Sequence, residues 1–114
     1  MLLRRILESE GYSVRAACDG SEGLRMLTER MPDLLITDLN MPVLDGVGLI
    51  RAVHADLRIW NVPIVILTAV SSTASQTLAR QIGVDDYLIK PFDDEVLVAR
   101  VGALLKRAKL RQDA

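Results

Sequence analysis

Three side chains with complementary chemistry close three short apolar runs of the chain. Asp38, Thr68 and Lys90 each stand at the end of a run rich in Leu, Ile and Val. A carboxylate can act as a nucleophile, a hydroxyl can donate a hydrogen bond, and an ammonium can neutralise anionic oxygens. If the runs are parallel strands, the three groups share one edge of a sheet, where open α/β folds place their ligands. The spacing therefore predicts a polar site at that edge.

Proline and glycine shape the loops that follow these runs. Pro42, Asp45 and Gly46 lie in the loop after the first run, and Pro91 begins the loop after the third. Proline fixes one backbone angle and glycine permits tight turns, so we expect these residues to set the path of the chain around the site.

Helical and extended patterns alternate along the whole sequence. We predict helices at about 2–10, 20–30, 47–57, 71–82 and 92–107, and strands at 13–17, 34–37, 64–67 and 86–89. Such alternation indicates an α/β fold with a doubly wound parallel sheet covered by helices on both faces. A sheet of this kind normally opens with a strand, whereas this chain opens with a helix.

Composition narrows the class of protein. The 114 residues suit one domain, and a net charge of −1 gives no general electrostatic case for binding nucleic acid or an anionic membrane. The single cysteine, Cys18, excludes an internal disulfide, fits a reducing compartment and is expected to be a small core residue. No apolar run approaches the ~20 residues that span a bilayer. We expect a cytoplasmic protein with no direct contact to nucleic acid or membrane.

The constellation resembles the receiver domain of two-component response regulators. The resemblance rests on residues 38–46, Asp-Leu-Asn-Met-Pro-Val-Leu-Asp-Gly, on Thr68-Ala69, and on residues 83–92, Gly-Val-Asp-Asp-Tyr-Leu-Ile-Lys-Pro-Phe. It covers essentially the whole chain. It implies a flavodoxin-like receiver fold with strand order 2-1-3-4-5.

The resemblance also implies a role for each motif residue. Asp38 would accept a phosphoryl group from the phosphohistidine of a sensor kinase or phosphotransfer protein. Lys90, Thr68 and Ala69 would bind the phosphoryl oxygens. Thr68 and Tyr87 would form the switch that transmits the signal, so the chain would be a signalling module and not an enzyme.

One part of the family pattern has no counterpart at a matching position. In the family, the first strand ends in a pair of acidic residues that hold Mg²⁺; here that strand and pair would lie upstream of Met1. Asp38 and the backbone carbonyl of Asn40 would then bind Mg²⁺ weakly or not at all. A fragment, a start site placed too far downstream, or a real loss would each explain this.

Three functions therefore remain in view. The first is a phosphorylation-driven receiver, and the second is a truncated or degenerate receiver that acts only through protein contacts. A haloacid dehalogenase-type phosphohydrolase also orders Asp, Thr and Lys at strand ends, but Asn40 stands where that chemistry needs a second Asp.

The boundaries and contacts of the domain follow from the same patterns. We assign residues 1–108 to an N-terminally truncated receiver domain and residues 109–114 to a tail or the start of a linker. A homodimer could form through exposed sheet edges, or through the surface made by the helix at 71–82 and the strand at 86–89.

Overall fold

A computed structural model describes residues 2–38, 46–68 and 73–113. The helices are α1 (Leu2–Ser9), α2 (Gly20–Glu29), α3 (Gly46–Ala55), α4 (Thr73–Gln81) and α5 (Asp94–Asp113). The strands are β1 (Leu35–Thr37), β2 (Ile64–Thr68) and β3 (Asp86–Ile89). Each of these elements lies within about six residues of its predicted bounds.

The strands form a parallel sheet in the order β1-β2-β3. The central strand β2 is buried along its whole length. Its side chains alternate between two clusters: Ile64 and Ile66 face α2, α3 and α4, while Val65 and Leu67 face α1 and α5. Helices therefore cover both faces of the sheet, as the alternating sequence pattern predicts, and the strands correspond to the last three of the expected order 2-1-3-4-5.

The helix ends follow the signals in the sequence. Asp19 caps α2, because its carboxylate accepts a hydrogen bond from the Glu22 backbone N–H at 2.8 Å. Gly11 (φ 91°) and Gly83 (φ 80°) adopt the left-handed conformation just after α1 and α4, where glycine is favoured. At the other end of the chain, α5 runs to Asp113 and so passes the predicted end near Arg107. Residues 106–113 contain strong helix formers and neither glycine nor proline.

The strand predicted at Ser13–Ala17 is wrong. Within the described residues this segment belongs to no ladder, and β1 pairs with β2 alone. The Tyr12 N–H instead donates to the Leu7 carbonyl, and the Arg15 guanidinium donates to the Arg30 carbonyl. Side-chain alternation does place the half-buried Val14 against the α1/α5 cluster, but a strand also needs a hydrogen-bonded neighbour.

Two further observations concern the exclusions drawn from composition. Cys18 is exposed, so its assignment to the core is wrong; it lies in the bend that precedes the α2 cap. In the part of the chain that the structure describes, no helix is both long and apolar enough to cross a bilayer.

Candidate phosphoryl-transfer site

The candidate site forms where the three strands end together. β1 leads into Asp38, β2 ends at Thr68, and β3 leads into Lys90. The register is parallel, with Thr68 beside Ile89. The Lys90 N–H donates to the Thr68 carbonyl at 2.8 Å, which carries the pairing one residue beyond the strand. The predicted convergence at one sheet edge is present in the fold.

Asp38 and Lys90 form an ion pair across this edge. The Lys90 Nζ lies 3.5 Å from Asp38 Oδ2, and the two side chains are 48% and 33% exposed. Both groups are open to solvent, so the pair contributes little to stability. The ion pair instead positions the Lys90 ammonium next to the Asp38 carboxylate, which remains accessible to a reactant.

Thr68 and Tyr87 lie deeper in the fold than the ion pair. Thr68 is 1% exposed. Tyr87 is half-buried, packs against the α2/α3/α4 cluster and lines a cleft of about 330 Å³ beside α4. Burial, and to a smaller degree the negative charge of Asp38, raises the pKa of the Tyr87 phenol above its usual 10. The phenol is therefore neutral and able to donate a hydrogen bond at physiological pH.

The structure describes only some of the remaining predicted site residues. Gly46 begins α3, and the Lys90–Pro91 peptide bond is cis. Asn40, Pro42, Asp45 and Ala69 lie outside the described residues. The predictions made for those four positions therefore stay predictions.

Described residues do not assemble a dedicated metal site. Across 2–38, 46–68 and 73–113, no three His, Cys, Asp or Glu side chains converge as metal ligands. Asp38 is the carboxylate at the strand edge, and its neighbour Lys90 carries a positive charge. Since Mg²⁺ favours several oxygen ligands in octahedral geometry, this donor set does not fit Mg²⁺ on its own, and we derive no step through the metal.

Two contacts at the start of β3, opposite the candidate site, could not be predicted from the sequence. The Arg100 guanidinium on α5 lies 2.7 Å from the Asp86 carboxylate at the start of β3. The Asp86 carboxylate also accepts from the Tyr87 N–H at 2.8 Å. No short-range spacing in the sequence connects Asp86 to Arg100, which lies fourteen residues later.

Comparisons with known proteins identify the family of the chain. Residues 1–102 match the sequence model described as response regulator receiver domain. The chain is 47% identical over 105 residues to transcriptional regulatory protein PrrA of Mycobacterium tuberculosis, covering 92% of this chain and 44% of that protein. It is 44% identical over 112 residues to response regulator MprA of Mycobacterium avium, covering 98% of this chain and 48% of that protein.

The chain belongs to the response regulator receiver domain family. A solved structure, the receiver domain of Francisella response regulator 1452, superposes with a TM-score of 0.85 at 34% identity, covering 93% of this chain and 86% of that one. The flavodoxin-like receiver fold and the assignment to two-component signalling are thereby confirmed. The receiver domain spans about half the length of the curated relatives it matches.

Proposed function

We propose that this receiver domain accepts a phosphoryl group on Asp38 from the phosphohistidine of a sensor kinase or phosphotransfer protein. The observation that carries the proposal is the 3.5 Å approach of Lys90 Nζ to Asp38 Oδ2 at the carboxyl edge of the sheet. Family membership supports the same assignment, because receiver domains receive phosphoryl groups from histidine kinases.

The proposed transfer needs a nucleophile and charge neutralisation. An Asp38 carboxylate oxygen attacks phosphorus and forms an acyl phosphate, while the P–N bond breaks and its electron pair returns to the donor imidazole. Negative charge is spread over the three equatorial oxygens during this step. The Lys90 ammonium is placed to bind one of them, since it already lies beside the attacking carboxylate.

We propose that Thr68 and Tyr87 respond to the phosphorylation of Asp38. The Thr68 hydroxyl and the Ala69 backbone would donate to the phosphoryl oxygens once Asp38 is modified. Burial of Thr68 and its place at the end of the central strand support this role. Tyr87 lines the cleft beside α4. If Tyr87 moves when Thr68 shifts, the change at the site would alter that surface.

The proposal assigns Mg²⁺ a weak role in this chain. Receiver domains of the family generally bind Mg²⁺ in an acidic pocket. We propose that Asp38 and the Asn40 backbone carbonyl would be the ligands here and would bind Mg²⁺ weakly or not at all, because Mg²⁺ requires several oxygen ligands in octahedral geometry.

The same proposal covers domain limits and setting. Residues 1–108 would form the receiver unit and 109–114 a tail or linker. The receiver unit would lie in the cytoplasm and would not itself contact nucleic acid. It would act as a signalling module and not as an enzyme with steady turnover.

The test is intact-mass analysis of the chain after incubation with acetyl phosphate and Mg²⁺. We expect a gain of one phosphoryl group that is absent from Asp38→Asn. Asp33→Asn is the matched control, because Asp33 is an exposed carboxylate just before β1. Asp33→Asn should be phosphorylated like the unmodified chain.

The alternative is a degenerate receiver that works only through protein contacts. It is motivated by the described residues, among which no three His, Cys, Asp or Glu side chains converge as metal ligands. No phosphoryl gain in a folded sample, together with no saturable binding of beryllofluoride and Mg²⁺, would contradict phosphorylation and support this alternative. Steady hydrolysis of a phosphate ester that Asp38→Asn abolishes would instead support the dehalogenase-type reading.

A further inference from the structure

Thr37 is the last residue of β1 and directly precedes the candidate phosphoacceptor, Asp38. It is 6% exposed, and among the residues that the structure describes, Thr37 and Thr68 are the polar side chains that are buried. The role proposed for Thr68, binding of the phosphoryl group, accounts for one of these two buried hydroxyls. The hydroxyl of Thr37 needs an explanation of its own.

Packing alone does not require a hydroxyl at position 37. Alternation along β1 places Thr37 on the same face as Leu35, which packs against the α2/α3/α4 cluster, while Ile36 packs against the α1/α5 cluster. The partner of Thr37 in the adjacent strand is the apolar Ile66. Valine would offer the same branched shape, and a buried polar group costs free energy unless it is hydrogen-bonded. A threonine here therefore indicates that the hydroxyl makes a bond.

The hydroxyl bonds to the backbone of Asp38. Thr37 Oγ1 donates to the Asp38 carbonyl at 3.1 Å. The parallel pairing of β1 with β2 ends at Thr37, so Asp38 lies one residue beyond the last pair of that ladder. The ladder thus leaves the direction of the Asp38 carbonyl open, and the Thr37 hydroxyl restricts it.

A restricted carbonyl also restricts the side chain of Asp38. The direction of the carbonyl follows the ψ angle of Asp38, and the side-chain rotamers open to a residue depend on its φ and ψ. The Asp38 side chain is 33% exposed, with Oδ2 at 3.5 Å from Lys90 Nζ. A hydrogen bond that holds the backbone of this accessible carboxylate therefore favours the rotamer that faces Lys90.

We propose that Thr37 is a positioning residue for the phosphorylation of Asp38. The inference rests on the phosphoacceptor role proposed above for Asp38. The Thr37 hydroxyl acts through the Asp38 backbone and makes no contact with the phosphoryl donor. It keeps the carboxylate beside the Lys90 ammonium and oriented for attack on phosphorus. Loss of the hydroxyl should therefore slow the transfer step and leave donor binding unchanged.

Thr37→Val and Thr37→Ser separate the hydroxyl from the packing. Thr37→Val keeps the branched shape and loses the hydroxyl, whereas Thr37→Ser keeps the hydroxyl. Initial rates over a range of acetyl phosphate concentrations, with Mg²⁺ present, give the limiting rate constant and the half-saturating concentration. Since small misplacements of reacting groups reduce rates strongly, we expect Thr37→Val to lower the rate constant at least about fivefold at an unchanged half-saturating concentration. Thr37→Ser should keep most of the rate.

A hydroxyl elsewhere in the fold provides the matched control. Thr28 Oγ1 donates to the Arg25 carbonyl at 2.9 Å on α2, and Thr28→Val should be phosphorylated at the rate of the unsubstituted chain. Thr37→Ala and Thr37→Ser differ from each other only in the hydroxyl, so this pair repeats the comparison if Thr37→Val does not fold. Circular dichroism checks that each compared variant is folded.

Carbonyl-detected NMR of the unphosphorylated chain tests the hydrogen bond without phosphotransfer. The Asp38 carbonyl carbon resonance should move upfield in Thr37→Val, because the carbonyl loses a donor, and should move much less in Thr37→Ser and Thr28→Val. If the unsubstituted chain is phosphorylated, an unmoved resonance, an undiminished rate in Thr37→Val or an equal loss in Thr37→Ser overturns the role of Thr37 alone. If acetyl phosphate modifies no variant and not the unsubstituted chain, the phosphoacceptor role fails and the positioning role fails with it.

Discussion

Asp85 is hydrogen-bonded to Ile64 twice. Its carboxylate accepts from the Ile64 N–H at 2.8 Å, and its own N–H donates to the Ile64 carbonyl at 2.9 Å. Ile64 is fully buried and begins β2, while Asp85 immediately precedes β3. The pair joins the two strands at the edge of the sheet opposite the candidate site, and so fixes the register that brings Thr68 beside Ile89.

Removing the Asp85 carboxylate should destabilise the domain. Asp85→Ala leaves the buried Ile64 N–H without that acceptor, and an unsatisfied buried polar group costs about 1–3 kcal/mol. Asp85→Asn keeps an acceptor oxygen and should lose less. Urea unfolding followed by circular dichroism measures both; equal free energies of unfolding for Asp85→Ala and the unmodified chain would contradict the assigned role.

Leu97 and Leu57 provide a matched pair for the core. Leu97 is 0% exposed and packs between α5 and the sheet, whereas Leu57 is 89% exposed in the loop after α3. Leu97→Ala should lower the free energy of unfolding by about 2–5 kcal/mol, the usual cost of a buried leucine. Leu57→Ala should change it by less than about 0.5 kcal/mol. Similar losses in the free energy of unfolding at both positions would contradict the assignment of Leu97, and not Leu57, to the core.

Local signals were sufficient for most of the fold. Apolar runs located the three strands, the Asp19 cap located the start of α2, and the glycines at 11 and 83 located the ends of two helices. The Ser13–Ala17 strand failed because alternation reports which face a side chain takes and cannot report whether a hydrogen-bonding neighbour is present. The two hydrogen bonds between Asp85 and Ile64 could not be predicted for a related reason, since they join positions twenty-one residues apart in the sequence.

The candidate site could be predicted because each of its three residues lies at the end of a strand. Parallel strands bring their carboxyl ends to one edge, so Asp38, Thr68 and Lys90 had to converge once the strands were correct. The contact between Asp86 and Arg100 depends instead on how α5 lies against β3. That geometry is set by packing, which has no local signature in the sequence.

Asp56 should titrate well below an ordinary carboxyl. Hydrogen bonds from the Arg58 side chain, and then from its backbone N–H, lower the pKa of Asp56 from its usual 3.8 to about 2. A folded-state pKa below the unfolded value contributes stability above pH 3.8, which is lost as the pH falls from there towards 2. Carbonyl-detected NMR titration measures the pKa directly.

Arg58→Ala is the control for that titration. Without the guanidinium, the pKa of Asp56 should return towards 3.8, and high salt should shift it in the same direction because the Arg58 side chain is exposed. A pKa near 2 that persists in Arg58→Ala would assign the shift to another part of the loop.

Lys90 should determine the rate of phosphorylation without determining the fold. Its ammonium is half-exposed and pairs with an accessible carboxylate, so Lys90→Met should leave the unfolding free energy almost unchanged. The same change removes the cation beside the transferring oxygens. We expect the rate with acetyl phosphate to fall at least about tenfold, which corresponds to about 1.4 kcal/mol of lost transition-state stabilisation.

Two control variants test whether the charge of Lys90 is responsible. Lys90→Arg keeps the charge and should retain part of the phosphorylation rate, while Arg51→Met, which removes a cation from α3, should retain all of it. An undiminished rate in Lys90→Met would show that another group neutralises the transferring oxygens, and would contradict the role proposed for Lys90.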